Sequence, residues 1–305
     1  MEVDMNFTTS VIITVYNRPR LLERALISLA HQSKLPNELI ISDDGSQEDL
    51  VSVVKAFKDK FNFSLIYTRQ EDKGFRLARC RNNGIRASRG DYIIFLDQDL
   101  VYTKNFLETL VQNRKNGCFC TTYPVRLTQE QTDRITDEMI ANFRFDSIIT
   151  PEQHQKIKKQ YTKDRFYYYM RSIGLRAHGP KLRGGACGIN RTDLIDVNGY
   201  DERYIGWGYE DDDLTRRLYQ NKTTGINISY DEFPIHLFHE PFHENGQRVN
   251  RAYYFKSKLK TKLHKAFRAE IGLDNPVDSD EISTDYINYE KFLHQKMDTN
   301  EILIK

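Results

Sequence analysis

Four short apolar runs, separated by three stretches of helical periodicity, fill the first hundred residues, and this alternation restricts the fold more than any other feature of the chain. The runs are Val11-Ile-Ile-Thr-Val-Tyr16, Leu39-Ile-Ile-Ser42, residues 63–68 and Tyr92-Ile-Ile-Phe-Leu96, with residues 18–31, 48–60 and 77–87 spaced as helices between them. Strands joined through helices are βαβ crossovers, so an α/β fold is expected, with a mainly parallel, Rossmann-like sheet flanked by helices. Ligands of such sheets gather beyond the carboxyl ends of the strands. The polar groups that follow each run are therefore the first suspects: residues 14–18, Asp43-Asp44-Gly45-Ser46 and Asp97-Gln98-Asp99.

The later chain changes character. Residues 130–176 are helical and charged, with Tyr, Phe, Lys and Arg crowded into 161–171, as expected of an inserted helical segment. A Gly-rich stretch follows, Arg183-Gly-Gly-Ala-Cys-Gly188, and then Gly206-Trp-Gly-Tyr-Glu-Asp-Asp-Asp213 runs into a helix-like segment at 214–221. Histidines stand at 236, 239 and 243. The last fifty residues read as a helical tail, basic through Arg251, Lys256, Lys258, Lys260, Lys262, Lys265 and Arg268 and acidic after that. The expected division is a domain at 1–250, with halves at about 8–125 and 126–250, and a tail at 251–305.

Composition narrows the partners. Lys+Arg number 45 and Asp+Glu 43, so no global field favours nucleic acid. No segment approaches the ~20 apolar residues that span a bilayer, and no leader pattern opens the chain, which leads us to expect a cytosolic protein. Its four cysteines lack zinc-ligand spacing and are expected to be reduced and non-catalytic.

Asp97 and Asp99 directly follow a strand, where the chain leaves the sheet and two carboxylates can share one task. A hard cation such as Mn2+ or Mg2+ prefers such ligands and keeps positions open for phosphates; a solvated turn explains the pair equally well. At Asp43-Asp44-Gly45-Ser46, helix capping accounts for Ser46 but does not need two aspartates. A carboxylate there can accept from a base imide or a ribose hydroxyl, with Thr14 and Tyr16 beside it, although Tyr16 also suits packing. Asp211, Asp212 and Asp213 fit an acidic helix start, which leaves Trp207 and its flanking glycines unexplained.

Taken in order, residues 11–18, Ser42-Asp-Asp-Gly-Ser46, residues 74–86 (with the Arg81-Asn82 pair) and Gly90-Asp-Tyr-Ile-Ile-Phe-Leu-Asp-Gln-Asp99 resemble the successive signatures of family-2 glycosyltransferases with the GT-A fold. Residues 184–190 and 206–213 are similar to the carboxy-terminal part of β-1,4-galactosyltransferases and bacterial chondroitin-polymerase-type enzymes. The resemblance implies a metal-dependent, inverting transfer of a hexose-type sugar from a UDP-sugar to a saccharide or lipid-linked acceptor. It assigns Asp99 and His239 to the metal, with His236 as runner-up, and Asp97 to the ribose or the metal shell. It gives the uracil to Asp44, Asp43, Thr14 and Tyr16, and adds Arg18 and Gly185 to the nucleotide-sugar contacts. Arg76, Arg79 and above all Arg81 become diphosphate candidates. Asp211 becomes the catalytic base, with Glu210 and Trp207 binding acceptor and residues 130–176 near the acceptor side. Residues 240–250 are expected to close over the donor.

The chain departs from the galactosyltransferases in lacking their secretory stalk and disulfide context, which points to bacterial surface polysaccharide or glycoconjugate synthesis in the cytoplasm or at the inner face of the membrane. Residues 251–268 then have two readings, a solvated helix or a peripheral contact with anionic lipid. Two other classes stay open, a sugar-phosphate nucleotidyltransferase and a non-catalytic sugar-binding module. The first should carry a Gly-rich loop after the first strand, where this chain has Tyr16-Asn-Arg-Pro19; the second has no need of Asp99, Asp211 and His239 together. Oligomeric state is not legible.

Overall fold

A computed structural model describes residues 7–240, 248–264, 266–278 and 281–288. The first part alternates as the sequence predicts: β1 (Thr9–Val15), α1 (Pro19–Ala30), β2 (Glu38–Asp43), α2 (Leu50–Lys55), β3 (Ser64–Arg69), α3 (Leu77–Ala87) and β4 (Tyr92–Asp97). There follow β5 (Leu100–Tyr102), α4 (Phe106–Gln112), β6 (Cys118–Thr121), β7 (Val125–Arg126), α5 (Gln129–Arg134), α6 (Asp137–Ala141) and α7 (Pro151–Ser172). The chain continues through β8 (Ala186–Asn190), α8 (Arg191–Asp196), α9 (Glu210–Gln220), β9 (Thr224–Asn227), β10 (Pro234–His236), α10 (Arg251–His264) and β11 (Ser283–Tyr286).

Among the described residues, eight strands form one sheet in the order β11-β3-β2-β1-β4-β8-β6-β9. Strands β3, β2, β1 and β4 are mutually parallel, whereas β8 runs antiparallel to β4 and β6. Both faces of the parallel core are covered, which is why its strands read as continuous apolar runs. Val11, Ile13 and Val15 face a cluster with Leu22, Leu26 and Leu29 of α1 and residues of α4; Ile12 and Ile40 face Ala78 and Ile85 of α3 and Leu214 and Leu218 of α9. A second sheet, β5-β10-β7, carries its own core with Ile135, Ile140 of α6 and Ile157 of α7.

Three differences from the sequence expectation have physical reasons. The helix expected over 48–60 is confined to α2, because Phe57, Phe61 and Phe63 turn inward and meet in succession (6.2 and 4.8 Å between centroids). The segment expected to be helical over 130–176 is divided into three helices, each started by a threonine cap at 128, 136 or 150. Among the described residues the tail is helical only over α10, while Ser283–Tyr286 adds an antiparallel edge strand to β3. No helix among the described residues is long and apolar enough to cross a membrane. The four cysteines are free and buried, and burial raises all their thiols, Cys118 to about 11 and Cys120 to about 12.

Candidate active site

The register of the sheet brings separate stretches of sequence to one edge. Thr14 pairs with Asp97 across β1 and β4, and Leu96 pairs with Ala186, so the amino end of antiparallel β8 meets the carboxyl ends of β1 and β4. There Thr14 Oγ1 donates to Asp97 Oδ1 at 3.0 Å, and the Asp97 N–H donates to the Gly185 carbonyl at 2.9 Å. A Cβ at Gly185 would stand 2.8 Å from Asp97 Oδ2, close enough to displace that carboxylate. Burial raises the Asp97 carboxyl; Arg81 opposes the shift, while Asp99 and Asp211 add to it.

Arg81, on the inner face of α3, joins the two halves of the site. Its Nη2 lies 3.3 Å from Asp97 Oδ1 and its Nη1 donates to Asp211 Oδ1 at 2.9 Å, with the Tyr200 ring 5.2 Å from the guanidinium carbon. The other Asp211 oxygen accepts from the Gly184 N–H at 3.0 Å. Sequence reasoning offered Arg81 to a diphosphate; the structure engages both its terminal nitrogens with carboxylates of the site. Asp211 and Glu210 stand in the first turn of α9, entered through Gly206, Gly208 and Tyr209, all at positive φ. This is the acidic helix start read from sequence, now joined to Asp97 by one buried guanidinium.

Asp99 faces the second sheet. His236 pairs with Leu100 where β10 runs beside β5, and the Leu237 N–H donates to the Asp99 carbonyl at 3.0 Å. Both histidines reach one carboxylate oxygen, His239 Nε2 at 2.8 Å and His236 Nε2 at 3.4 Å from Asp99 Oδ2. Burial opposes ionisation of Asp99, but the hydrogen bond from His239 and the charges of His236, His239 and Arg18 hold the carboxyl below its ordinary range. The hydrogen bond to Asp99 raises His239, whereas burial lowers His236. His239 Nδ1 lies 2.8 Å from Arg18 Nη1 and 3.0 Å from the Glu240 carbonyl, while Nε2 faces Asp99, where a cation would lie between them.

These groups fit a divalent ion. Potential ligand atoms of Asp99, His236 and His239 all lie within 4.8 Å of one another, and Asp99 Oδ1 is a buried oxygen without a hydrogen-bond partner. Two imidazoles and a carboxylate can hold a divalent first-row ion, and a hard one such as Mn2+ accepts phosphate oxygens as well. The structure thus brings the runner-up His236 to the cluster alongside His239. His243, with residues 241–247 of the segment expected to close over the donor, lies outside the described residues.

The residues expected to bind the nucleotide divide. Asp43 is engaged within its turn, Oδ1 accepting from the Ser46 N–H (2.9 Å) and hydroxyl (2.6 Å) and Oδ2 from the Tyr67 hydroxyl. Asp44 accepts from the Arg76 N–H at 2.9 Å and from the Gln70 amide; burial pushes its carboxyl up to about 7 against those two bonds. Tyr16 donates its hydroxyl to Asp72 at 3.2 Å. Arg18 is committed to His239 and to the Glu240 carbonyl. Arg76 and Arg79 differ most from expectation: both pair with Asp278 of the tail.

Of the residues expected to bind acceptor, Glu210 is buried with Oε2 unpartnered, and burial together with the Asp211 charge pushes its carboxyl up to about 7. Trp207 is partly exposed, with the Arg248 guanidinium 5.5 Å from its ring; Arg248 also reaches Tyr209 and Asp212. Sequence reasoning passed over Arg248 because it lies forty residues along the chain from its partners with no motif around it. Gly184 was legible only as part of a Gly-rich stretch.

Residues 10–180 match the family model described as glycosyl transferase family 2, and residues 164–240 match one described as N-terminal domain of galactosyltransferase. Validoxylamine A glucosyltransferase of Streptomyces hygroscopicus subsp. limoneus is 27% identical over 248 residues, 77% of this chain and 52% of that protein. Chondroitin synthase of Escherichia coli is 28% identical over 223 residues, 69% of this chain and 32% of that protein. The chain therefore spans about half or less of the length of these relatives. Among solved structures, S. aureus TarS 1-349 in complex with UDP-GlcNAc superposes with a TM-score of 0.55 at 15% identity, covering 88% of this chain and 68% of that one. The mannosyltransferase PcManGT from Pyrobaculum calidifontis, in complex with GDP-Man and Mn2+, gives 0.54 at 14%, covering 86% and 66%. At these identities the likeness establishes the fold, which is the GT-A type.

Proposed function

Because the chain belongs to glycosyl transferase family 2, we propose that it moves a hexose-type sugar, with inversion, from a UDP-sugar to a saccharide or lipid-linked saccharide acceptor, in the synthesis of a bacterial surface polysaccharide or glycoconjugate. The observation that carries this reading is the continuity of the site. The Asp99, His236 and His239 cluster and the Thr14, Asp97 and Gly185 edge lie on the donor side, and Arg81 connects that edge to Asp211 on the acceptor side.

Asp99, His236 and His239 would hold Mn2+ or Mg2+, with Asp97 beside them at the ribose or in the outer shell. When bound, the ion supplies positive charge to the departing diphosphate. The remaining steps belong to the chain. Asp44, Thr14 and Tyr16 line the base side. Arg81 and the Gly184 N–H fix the two oxygens of Asp211 in one orientation, and Asp211 takes the acceptor hydroxyl proton as that oxygen attacks the anomeric carbon opposite the leaving phosphate. Glu210 accepts from neighbouring acceptor hydroxyls, and Trp207 offers an apolar ring to the sugar. Residues 1–250 act as the transferase domain, working in the cytoplasm or at the inner membrane face.

A donor panel of UDP-hexoses, UDP-N-acetylhexosamines and a UDP-uronic acid, with GDP-mannose as control, tests the reading through nucleotide release with Mn2+, with and without acceptor sugars. UDP release that depends on metal and on acceptor is expected. In Asp211→Asn, donor binding should persist while transfer falls about 10²–10⁴-fold, the usual contribution of a positioned base. Absence of binding and turnover for every nucleotide sugar would sink the proposal, and full transfer by the variant would move the base elsewhere.

A further inference from the structure

Helix α10 presents its two faces the wrong way round for a simple surface helix. Its inner face packs on the body of the protein through aromatic and hydroxyl side chains. Tyr254 stacks on Tyr209 at 4.8 Å, the Tyr253 hydroxyl donates to Asp201 at 2.7 Å, the Ser257 hydroxyl donates to Asp213 at 3.2 Å, and Thr261 is buried. Its outer face carries Phe255, Leu259 and Leu263 at i, i+4 and i+8, and these are 49%, 59% and 69% exposed. The stripe runs about 12 Å along the helix. Arg251, Lys256, Lys258, Lys260 and Lys262 flank it, and the helix contains no acidic residue. Of these cations, Lys260 pairs with Glu270.

We propose that this face docks the protein on an anionic phospholipid surface, with Phe255, Leu259 and Leu263 entering the acyl boundary and the flanking cations meeting lipid phosphates. The pairing of chemistries selects this occupant. An apolar stripe flanked by Lys and Arg is the pattern of an interfacial helix. A polyanionic saccharide would satisfy the cations and leave the stripe in water. A second copy of the chain would cover the stripe but set two all-basic faces against each other. The position of α10 also has a consequence for the site. The helix lies along the start of α9, which carries Glu210 and Asp211, and Arg248, just before α10, stands over Trp207. Docking through α10 therefore brings the acceptor end of the site to the bilayer; this last step rests on the transferase reading above and favours the lipid-linked class of acceptor.

The test uses the full chain and co-sedimentation with large unilamellar vesicles of phosphatidylcholine, alone or mixed with phosphatidylglycerol, at low and high salt. Binding is expected only with phosphatidylglycerol and should weaken in salt. Lys256→Gln with Lys262→Gln should lower the affinity about 25-fold, roughly fivefold per charge, and Leu259→Ser with Leu263→Ser about tenfold or more. UDP release with a soluble acceptor, read without vesicles, should be the same in all variants, and its absence throughout would count against the transferase reading while leaving the vesicle result to decide docking. The proposal is overturned if phosphatidylglycerol vesicles do not retain the protein, if phosphatidylcholine alone retains it equally, or if the leucine variants bind unchanged. Conversion of a wild-type dimer to monomers by those leucine changes would overturn it too, by giving the stripe to a second copy.

Discussion

Arg81 and Glu210 show how single side chains set the chemistry of this site. Arg81 is buried and planar, and its fork holds Asp97 and Asp211 together, a geometry that a flexible lysine ammonium would not reproduce. Glu210, one residue before Asp211, has a folded-state carboxyl near 7 against an ordinary 4.5, because burial and the Asp211 charge both disfavour its ionised form. Below about pH 7 it is neutral and carries a proton of its own. Above that it is ionised and, in the role proposed for it, accepts from sugar hydroxyls with both oxygens. Transfer should therefore rise with pH through an inflection near 7. In Glu210→Gln, permanently neutral, the rise should vanish and leave the low plateau. The profile of kcat/KM between pH 5.5 and 9 decides it; an unchanged inflection in the variant would assign the titration to another group.

At the scale of elements, what could be read from sequence depended on burial. Strands β1, β2 and β4 are covered on both faces and announce themselves as apolar runs, and α3 falls on residues 77–87 as its spacing requires. The edge strand β11 could not be read, since Ser283–Tyr286 is exposed throughout and has no apolar pattern. The site divides along similar lines. Asp97, Asp99 and Asp211 carry local motifs, whereas the approach of Gly184 to Asp211 depends on β8 running antiparallel, and the approach of His236 to Asp99 depends on the pairing of β10 with β5. Gly84 is the case where a motif residue has a packing explanation. A Cβ there would meet Ile12 Cγ2 at 2.5 Å, so α3 lies against β1 only because residue 84 has no side chain. Gly84→Val should push α3 off the sheet at a cost of about 1–3 kcal/mol, read as a lower denaturation midpoint. Because α3 carries Arg81, it should also reduce transfer. A variant of wild-type stability would mean that the helix and sheet have more room than this contact allows.

Over the whole molecule, the tail braces the start of α3 and the β3 edge of the sheet, which neither matched family region predicts, since these end at residues 180 and 240. After α10 the chain returns across residues 197–202: the Ala269 N–H donates to the Val197 carbonyl, the Leu273 N–H to the Asn198 carbonyl, and the Val277 N–H to Glu202 at 3.0 Å. Asp278 then reaches Arg76 and Arg79, about 200 residues earlier, and β11 closes the edge of the sheet beside β3. The two arginines sit at the start of α3 and are buried, while Asp278 is about one-third exposed. Removing its charge leaves buried guanidinium groups with poorer compensation, a loss that partial solvation of the carboxylate moderates. Asp278→Asn should therefore cost about 1–3 kcal/mol, read as a lower urea midpoint with an unchanged slope. Because α3 also presents Arg81 to Asp97 and Asp211, donor affinity should weaken in the same variant, although residue 278 lies outside the expected transferase domain. Urea unfolding and donor titration on one preparation test both effects together: a stability loss with donor affinity intact would confine the brace to folding, and no change in either would mean that α3 is held by the sheet alone.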